Sequence, residues 1–531
     1  MHLEQFEEVI NNMKNSAVLI FLVFLLISCA KNKKEKSAQL FKTQCASCHQ
    51  LPNIQHLPKH LWANKVLPEM GARMGIKNSG FNPLNGFSFE EQGAILKSGI
   101  YSVKSKISVE DWRLLNEYII SNAPDSLIVE SAKIERTELN NFKLELIDID
   151  SSEGSSIIFI EFDAEKGKLN VADSRGRIYE YDQKSKNLAK LLNGKGPISA
   201  YTEKDDVKYV TSIGSLSPSE IANGRIFSIK NKTVESQPIN FHRPVHTTVI
   251  DFNKDGVDEI LVCEFGNLTG SLSLVVNSKS GSLEKKILLG QPGSIRAVVQ
   301  DMNHDGKDDI IVMTAQGNEG VTILYQTENL EFRGEQAIRF SPVYGSSWFE
   351  IIDYDNDGDQ DIITVHGDNA DKTQVLKSYH GLRIHLNDGT NNFKEVFFFP
   401  LHGATRSVSR DFDQDGDIDF GIISTFPDYK QHSEMSFVYL NNISQDKFEF
   451  EPQILKEDFS GRWFLIDSGD FDQDGDIDIA LSCSTLNFTF LPAELAKVYK
   501  ENPWDIMLLE NSLSRMILYG LICRVRFPLL S

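Results

Sequence analysis

Basic residues are scarce in this sequence, and their scarcity excludes one class of partner. Lysine and arginine number 54 against 75 aspartates and glutamates, so the formal net charge is −21 over 531 residues. A protein that binds nucleic acid uses a basic patch to neutralise phosphates, and no such patch is present, so we expect no nucleic-acid partner. The chain is long enough for two or three domains and a sizeable core.

The sequence also lacks common enzyme motifs and a long apolar run. No Ser-His-Asp order, phosphate-cradling glycine loop or zinc-ligand spacing rises above chance. The apolar run from Ala17 to Ile27 is too short for a comfortable membrane span and has the length of a signal-peptide core. Because Met13-Lys14-Asn15 precedes this run, we favour Met13 over Met1 as the true start, and we predict that the protein is exported.

Leu26-Ile27-Ser28-Cys29 resembles a bacterial lipobox. The resemblance implies that residues 1–29 are a signal peptide with a lipobox, that Cys29 becomes the lipidated N-terminus, and that residues 30–37 form a polar tether. The protein is then a membrane-anchored lipoprotein on the periplasmic or cell-surface side. An uncleaved anchor and an ordinary secretory signal are the alternatives.

The segment Cys45-Ala46-Ser47-Cys48-His49 follows the tether. The C-x-x-C-H pattern is typical of covalent haem attachment, in which Cys45 and Cys48 form thioethers and His49 supplies the proximal nitrogen. A chance match and a redox-active C-x-x-C are the alternatives. Export favours haem c, because this cofactor is attached beyond the cytoplasmic membrane.

Residues 38–125 resemble a small class I cytochrome c. A helix is predicted around 38–43, leading into the motif, and residues 109–120 are similar to the C-terminal helix of that fold. The resemblance implies a small all-α haem domain that transfers electrons.

The distal haem ligand is open between two methionines. Met70 is favoured and Met74 is close behind, since no methionine follows before the last helix of this segment. Either one can instead be a core residue. His56 and His60 are further alternatives, which would give a bis-histidine haem of lower potential.

An aspartate-rich nonapeptide occurs five times in the second half of the chain. Its copies carry carboxylate or amide oxygens at positions 1, 3, 5 and 9 and a glycine at position 6, and they begin at Asp251, Asp301, Asp353, Asp411 and Asp470. Their spacing of 50 to 59 residues is of the size expected for propeller blades.

The oxygens of the nonapeptide, with a backbone carbonyl at position 7, can surround one hard cation. An EF-hand is excluded because position 12 carries no glutamate; the residues there are Val262, Val312, Thr364, Ile422 and Leu481. An apolar run after each loop predicts a buried strand, so each loop joins two strands. An acidic solvated turn is the alternative.

These loops resemble FG-GAP/VCBS repeats, which form integrin-like β-propellers with calcium in the loops. The resemblance is strong over 240–510 and extends more faintly back to 140. It implies an all-β propeller of about seven blades over 140–512, with residues 513–531 unassigned, and up to about five calcium ions. The implied calcium ligands are Asp251, Asn253, Asp255, Glu259, Asp301, Asn303, Asp305, Asp309, Asp353, Asp355, Asp357, Asp361, Asp411, Asp413, Asp415, Asp419, Asp470, Asp472, Asp474 and Asp478.

Large polar and aromatic residues recur five positions before the loops. If each loop joins the first and second strands of a blade, these residues should converge near the propeller axis, toward the face opposite the loops. They are His246, Arg296, Trp348 and Arg406, with Leu465 in the fifth repeat after Arg462 and Trp463. Either these residues form a functional site near the axis, or they only fill the propeller channel.

Residues 366–381 form a loop on the same face that we expect to be the longest in the repeats; a sibling covers 426–432. Long polar loops on a rigid propeller often carry binding sites. The candidate catalytic or binding residues are therefore Asp368, Asn369, Asp371, Tyr379 and His380, together with Trp348 and Arg406.

Three functions are compatible with these features. The first is haem-dependent electron transfer, with the propeller docking a partner or substrate that the sequence does not identify. The second is an oxidoreductase whose active site lies on the face opposite the calcium loops. The third is a binding or adhesion module. Fold alone does not choose among them.

Overall fold

The structure is a computed structural model. It describes residues 33–77, 80–128, 135–149, 155–277, 282–370, 373–456, 461–486, 491–501 and 504–513. The predicted signal peptide, Cys29 and residues 514–531 lie outside these ranges. No helix within them is long and apolar enough to cross a membrane. The chain divides into two compact units, Met1–Asn85 with Tyr101–Leu127, and Gly86–Ile100 with Ile128–Ser531.

The first unit is built from short helices. Its α-helices are α1 (33–45), α2 (Lys59–Leu61) and α3 (Leu67–Arg73), with a 3-10 turn at Ile54–His56 and a π turn at Trp62–Val66. Helix α4 (Phe89–Ser98) belongs to the second unit, and α5 (Val109–Asn122) returns to the first. Both helices predicted from sequence are confirmed as α1 and α5, whereas the cytochrome c-like fold of 38–125 stays a prediction.

Helix α5 shows why these short helices form where they do. The side chain of Ser108 caps its first turn by accepting a hydrogen bond from the N–H of Asp111 at 3.0 Å. Glu110 and Asp111 in that turn complement the helix dipole. Leu115 and Ile119, four residues apart, bury one face.

The second unit contains a seven-bladed β-propeller, which confirms the predicted blade number. Two strands precede the blades, β1 (Thr137–Glu138) and β2 (Phe142–Ile147). Blade 1 comprises β3 (Ile157–Asp163), β4 (Lys168–Asp173), β5 (Arg177–Asp182) and β6 (Asn187–Asn193). Blade 2 comprises β7 (Ile198–Lys204), β8 (Val207–Ser212), β9 (Arg225–Lys230) and β10 (Thr233–Ser236).

The next three blades each carry one aspartate-rich loop. Blade 3 comprises β11 (Pro244–Ile250), β12 (Glu259–Glu264), β13 (Ser271–Asn277) and β14 (Leu283–Leu289). Blade 4 comprises β15 (Ser294–Gln300), β16 (Asp309–Thr314), β17 (Gly320–Gln326) and β18 (Phe332–Arg339). Blade 5 comprises β19 (Ser346–Ile352), β20 (Asp361–His366), β21 (Gly381–Asn387) and β22 (Phe393–Pro400).

The last two blades carry the two remaining loops and recruit the early strands. Blade 6 comprises β23 (Ala404–Arg410), β24 (Asp419–Ser424), β25 (Phe437–Ser444) and β26 (Glu449–Ile454), with β1 parallel at its outer edge. Blade 7 comprises β27 (Trp463–Gly469), β28 (Asp478–Cys483) and β29 (Ile506–Asn511), with α6 (Ala493–Glu501) between the last two. Its fourth, outermost strand is β2.

The strand after each loop is buried along its whole length, as the apolar runs predict. All six residues are buried in each of these second strands, which are β12, β16, β20, β24 and β28. A second strand is covered by the neighbouring blades on both sheet faces, so apolar residues are favoured at consecutive positions.

The ring closes through a pairing between distant parts of the chain. Strand β2 pairs antiparallel with β29, and Phe142 lies opposite Asn511. The ring of Phe142 packs edge-on against Phe412 and Tyr439 at centroid distances of 6.1 and 5.6 Å. Blade 7 is therefore complete only when both ends of the propeller sequence are folded together.

Candidate functional site

The aspartate-rich loops share one backbone-anchored geometry, illustrated by the loop between β23 and β24. The carboxylate of Asp411 accepts hydrogen bonds from the backbone N–H groups of Asp415 and Gly416, both at 3.1 Å. The φ angle of Gly416 is 99°, in the left-handed region that favours glycine. The glycine N–H bonds the first aspartate in the other four loops as well. The loop thus curls around its first carboxylate.

In three loops this curl brings three carboxylate oxygens within 4.8 Å of one another. The triplets are Asp353, Asp355 and Asp357; Asp411, Asp413 and Asp415; and Asp470, Asp472 and Asp478. Clustered carboxylate oxygens are the donors that a hard divalent cation prefers. The geometry is suitable for calcium, and calcium binding stays a prediction.

The acidic residue at position 9 has an additional structural role that the sequence pattern does not reveal. Asp419 is buried and accepts hydrogen bonds from the Phe412 N–H at 3.2 Å, the Asn442 N–H at 2.7 Å and the Tyr439 hydroxyl at 2.7 Å. Burial raises the pKa of Asp419 to about 7. This carboxylate therefore connects the loop to the third strand of its blade.

The structure brings together the polar and aromatic residues at the start of the inner strands. Arg296 from β15 and Arg406 from β23 both approach Trp348 of β19, with Cζ 4.2 and 4.3 Å from the ring centroid. His246 of β11 is close enough that, after burial, the charges of the two arginines lower its pKa to about 3. These four side chains line the channel of the propeller, where they retain partial solvent access.

The fifth repeat departs from this arrangement. Leu465 occupies the equivalent strand position and is buried. Trp463 is fully buried in a core cluster with Ile466 and Leu481, and Arg462 donates a hydrogen bond to the carbonyl of Leu486 at 2.6 Å. Arg462 and Trp463 therefore support the fold of blade 7.

A layer of acidic residues lies two positions farther along the inner strands. Its members are Glu161 of β3, Glu350 of β19 and Asp467 of β27. Glu350 is buried, Asp467 is half-buried and Glu161 is exposed. Sequence reasoning missed this layer. The two-residue period of a strand could have revealed it, because Glu350 follows Trp348 by two residues and projects from the same sheet face.

The candidate residues of the 366–381 loop pack into the protein. Tyr379 is 8% exposed and stacks on Tyr344 with a centroid distance of 5.3 Å. His380 is 1% exposed and accepts a hydrogen bond from the Gly403 N–H through Nδ1 at 3.3 Å. Aromatic stacking and a backbone hydrogen bond therefore bury these two candidates.

The remaining candidates of this loop stabilise its backbone. The carboxylate of Asp368 accepts a hydrogen bond from the Ala370 N–H at 2.9 Å, and Asn369 donates to the Val375 carbonyl at 3.0 Å. Asp371 lies outside the described residues. The expectation that this loop is the longest in the repeats is wrong, because the β28–β29 connection, which runs from residue 484 to 505, is longer.

A buried hydrogen-bond chain fixes the base of this loop. The hydroxyl of Ser346 donates to Glu319 at 2.7 Å and contacts His366 Nδ1 at 3.0 Å. His366 Nε2 contacts the Thr364 hydroxyl at 2.9 Å, and that hydroxyl contacts His385 Nε2 at 3.0 Å. All five side chains are buried. The Ser346–Glu319 hydrogen bond therefore links blade 5 to the β16–β17 loop of blade 4, and both histidines are buried within blade 5.

We expect His380→Ala to lower the free energy of unfolding by about 2–3 kcal/mol, because it opens a cavity and leaves the Gly403 N–H unpaired. The matched change Asp368→Asn retains a side-chain oxygen and should cost less than about 1 kcal/mol. Urea unfolding followed by circular dichroism measures both. Equal effects would show that His380 is not a packing residue.

The C-x-x-C-H segment follows the end of α1. Cys45 is half-buried and Cys48 is exposed. His49 Nδ1 lies 2.8 Å from the carbonyl oxygen of Gln50. A histidine that donates through Nδ1 presents Nε2 as a metal ligand. Burial raises the pKa of the Cys45 thiol to about 12, whereas redox-active C-x-x-C pairs have lowered thiol pKa values.

The distal-ligand candidates lie on α3 and at its C-cap, in α2, and in the 3-10 turn before α2. Met70 lies within α3 and Met74 at its C-cap, and both are half-buried. The Met74 N–H donates to the Met70 carbonyl at 3.0 Å, which keeps them on the same turn. His56 is half-buried and His60 is exposed. The ligand stays open between Met70 and Met74.

The comparisons with known proteins identify the repeats. The FG-GAP-like repeat family matches residues 251–312 and 301–364. Among solved structures, the N-terminal domain of Nup159 is 12% identical with a TM-score of 0.40, covering 71% of this chain and 97% of that one. The Pan2 WD40 domain of Neurospora crassa is 13% identical with a TM-score of 0.39, covering 65% and 94%. No curated protein matches the sequence significantly. The chain therefore contains FG-GAP-like repeats within its propeller.

Proposed function

We propose that this protein is an exported, lipid-anchored haem c protein that transfers electrons, and that its calcium-stabilised propeller docks the redox partner or substrate. The observation that carries the redox part is the C-x-x-C-H segment with its oriented histidine. The hydrogen bond between His49 Nδ1 and the Gln50 carbonyl favours the tautomer that a metal-binding imidazole needs.

The residues of this segment fit covalent haem. Cys45 and Cys48 would hold it through thioethers, His49 would be the proximal ligand, and Met70 or Met74 the distal one. The haem would supply one-electron transfer. The raised pKa of the Cys45 thiol disfavours Cys45 as the attacking sulfur of a redox-active dithiol, because that sulfur must ionise near neutral pH. The surrounding protein supplies orientation and partial burial.

The propeller supplies a rigid surface that can bind a partner or substrate. Its channel presents two guanidinium groups around one indole, and the second-to-third strand loops open on the same face. Rigid elements that support variable loops are a common basis for recognition. Calcium in the aspartate-rich loops would neutralise carboxylates that otherwise repel one another.

A binding module without redox chemistry is the second candidate. The observation that favours it is that the channel site is complete within the propeller and uses no residue of the C-x-x-C-H segment. An oxidoreductase would require a reacting group on the channel face. Reduction of the haem by a small substrate without any protein partner would favour that function.

Haem attachment is tested by expression in a host competent in cytochrome c maturation. We expect a haem stain that survives denaturing electrophoresis and disappears in Cys45→Ser/Cys48→Ser. Met70→Ala should abolish the methionine-to-iron absorption band of the oxidised protein, and the matched Met74→Ala should keep it. The reverse result would assign Met74. A colourless parent protein that folds and melts cooperatively would contradict the redox function and leave the binding module.

A further inference from the structure

Two arginines of the propeller channel have no carboxylate at salt-bridge distance among the residues that the structure describes. Among the residues that the structure describes, the guanidinium of Arg406 has no hydrogen-bond acceptor and no carboxylate at salt-bridge distance; it contacts Trp348. Arg296 donates a hydrogen bond to the carbonyl oxygen of Phe349 and likewise pairs with no carboxylate in that part of the chain. An arginine has five N–H donors, so most donors of this pair have no acceptor among the described residues.

The acidic layer does not supply the missing acceptors. The two oxygens of Asp467 accept backbone N–H groups, from Phe162 at 2.7 Å and Ser468 at 2.9 Å. Glu350 accepts the backbone N–H of Ser409 at 2.9 Å. No carboxylate of this layer accepts a hydrogen bond from either arginine in the described part of the chain, although the charges of Glu350 and Asp467 act on Arg296 and that of Asp467 acts on Arg406.

Two positive charges close together in this confined space are unfavourable. Burial, followed by the charge of Arg296, lowers the pKa of Arg406 to about 9. A bound anion would offset this cost, because charge-assisted hydrogen bonds to guanidinium are strong in a partly desolvated site. The low pKa of His246 keeps its ring neutral, so it can donate one hydrogen bond without adding a third positive charge.

We propose that Arg296, Trp348 and Arg406 form a binding site for a small oxyanion inside the propeller channel. The two guanidinium groups donate to the anion, and Trp348, which contacts both, fixes their positions. Each of the three is the third residue of its inner strand, and these strands begin on the face opposite the aspartate-rich loops. The anion therefore enters from that face.

This inference gives a chemical class to the ligand of the proposed propeller docking role. It rests on that binding role and does not depend on the haem. A free carboxylate or sulfate-like ion and an acidic side chain of a partner share this chemistry. Absence of a haem spectrum would contradict the redox function and leave the anion site intact. Absence of anion binding would contradict the anion site and leave the redox function intact.

The test is isothermal titration of the full chain, in calcium and at constant ionic strength, with acetate, sulfate and chloride. We expect one saturable site for acetate or sulfate, and weaker binding of chloride, which cannot accept from both arginines in a planar arrangement. Arg406→Gln should weaken oxyanion binding about ten-fold or more. The matched control Lys394→Gln, which removes an exposed charge from the outer strand of blade 5, should change it less than about two-fold.

A second measurement does not depend on any arginine variant being folded. The anion should change tryptophan fluorescence of the parent protein, and this change should disappear in Trp348→Phe while the other four tryptophans remain. If an isolated acidic peptide binds the protein saturably and competes with acetate, the natural source of the anion is an acidic side chain of a partner. No saturable binding of either oxyanion, or equal weakening by Arg406→Gln and Lys394→Gln, would overturn the proposal.

Discussion

Chelation of calcium is expected to lower the melting temperature of the propeller by roughly 10 °C or more, because three loops with clustered carboxylates would each lose a bound ion. An ion present at a hundred times its dissociation constant contributes about 2.7 kcal/mol. Differential scanning calorimetry with and without a chelator measures the shift. Calcium should restore the melting temperature more effectively than magnesium, which requires stricter octahedral geometry.

A variant pair separates specific calcium binding from charge screening. Asp415→Asn removes one carboxylate of the blade 6 triplet and should reduce the calcium-dependent shift. The matched control Asp446→Asn removes an exposed acid of the same blade outside the loop and should leave the shift unchanged. Melting that is the same in excess chelator as in calcium would refute a structural role for the ion.

Phe142→Ala is expected to lower the free energy of unfolding by about 3–4 kcal/mol, because it removes a buried aromatic side chain from the strand that closes the ring. Phe142 loses its edge-on contacts with Phe412 and Tyr439, and relaxation around a closed ring is restricted. Urea unfolding followed by tryptophan fluorescence measures the change.

The matched control is Leu146→Ala on the same strand. Leu146 is 37% exposed, so the truncation should cost about 1 kcal/mol or less. If both variants lose the same stability, β2 contributes by strand pairing alone and the core contact of Phe142 is unimportant. If neither loses stability, the ring does not depend on β2.

Repetition made much of the propeller predictable from sequence. The aspartate-rich loops recur at blade spacing, and each is followed by an apolar run, so the loop, the buried second strand and the number of blades followed from local patterns. The same spacing predicted that Arg296, Trp348 and Arg406 occupy equivalent positions, because equivalent residues of inner strands meet around one axis. These features depend on backbone geometry that short segments encode by themselves.

Contacts between distant segments were decided only by the tertiary structure. The sequence alone indicated polar residues at Tyr379 and His380, but their burial depends on Tyr344 and Gly403 from other parts of the blade ring. Sequence reasoning missed the acidic layer, in which Glu350 and Asp467 accept backbone N–H groups of Ser409 and Phe162 from neighbouring blades.

The closing strand shows the same division. The alternation of apolar residues in Phe142–Ile147 is compatible with any outer strand, and nothing within those six residues specifies a partner more than 350 positions away. Pairing with β29 is selected because it supplies the fourth strand of blade 7 and buries Phe142 in the hydrophobic core that blades 6 and 7 share. Sequence by itself determined the repeating unit, and ring closure determined which side chains are buried, paired or left facing the channel.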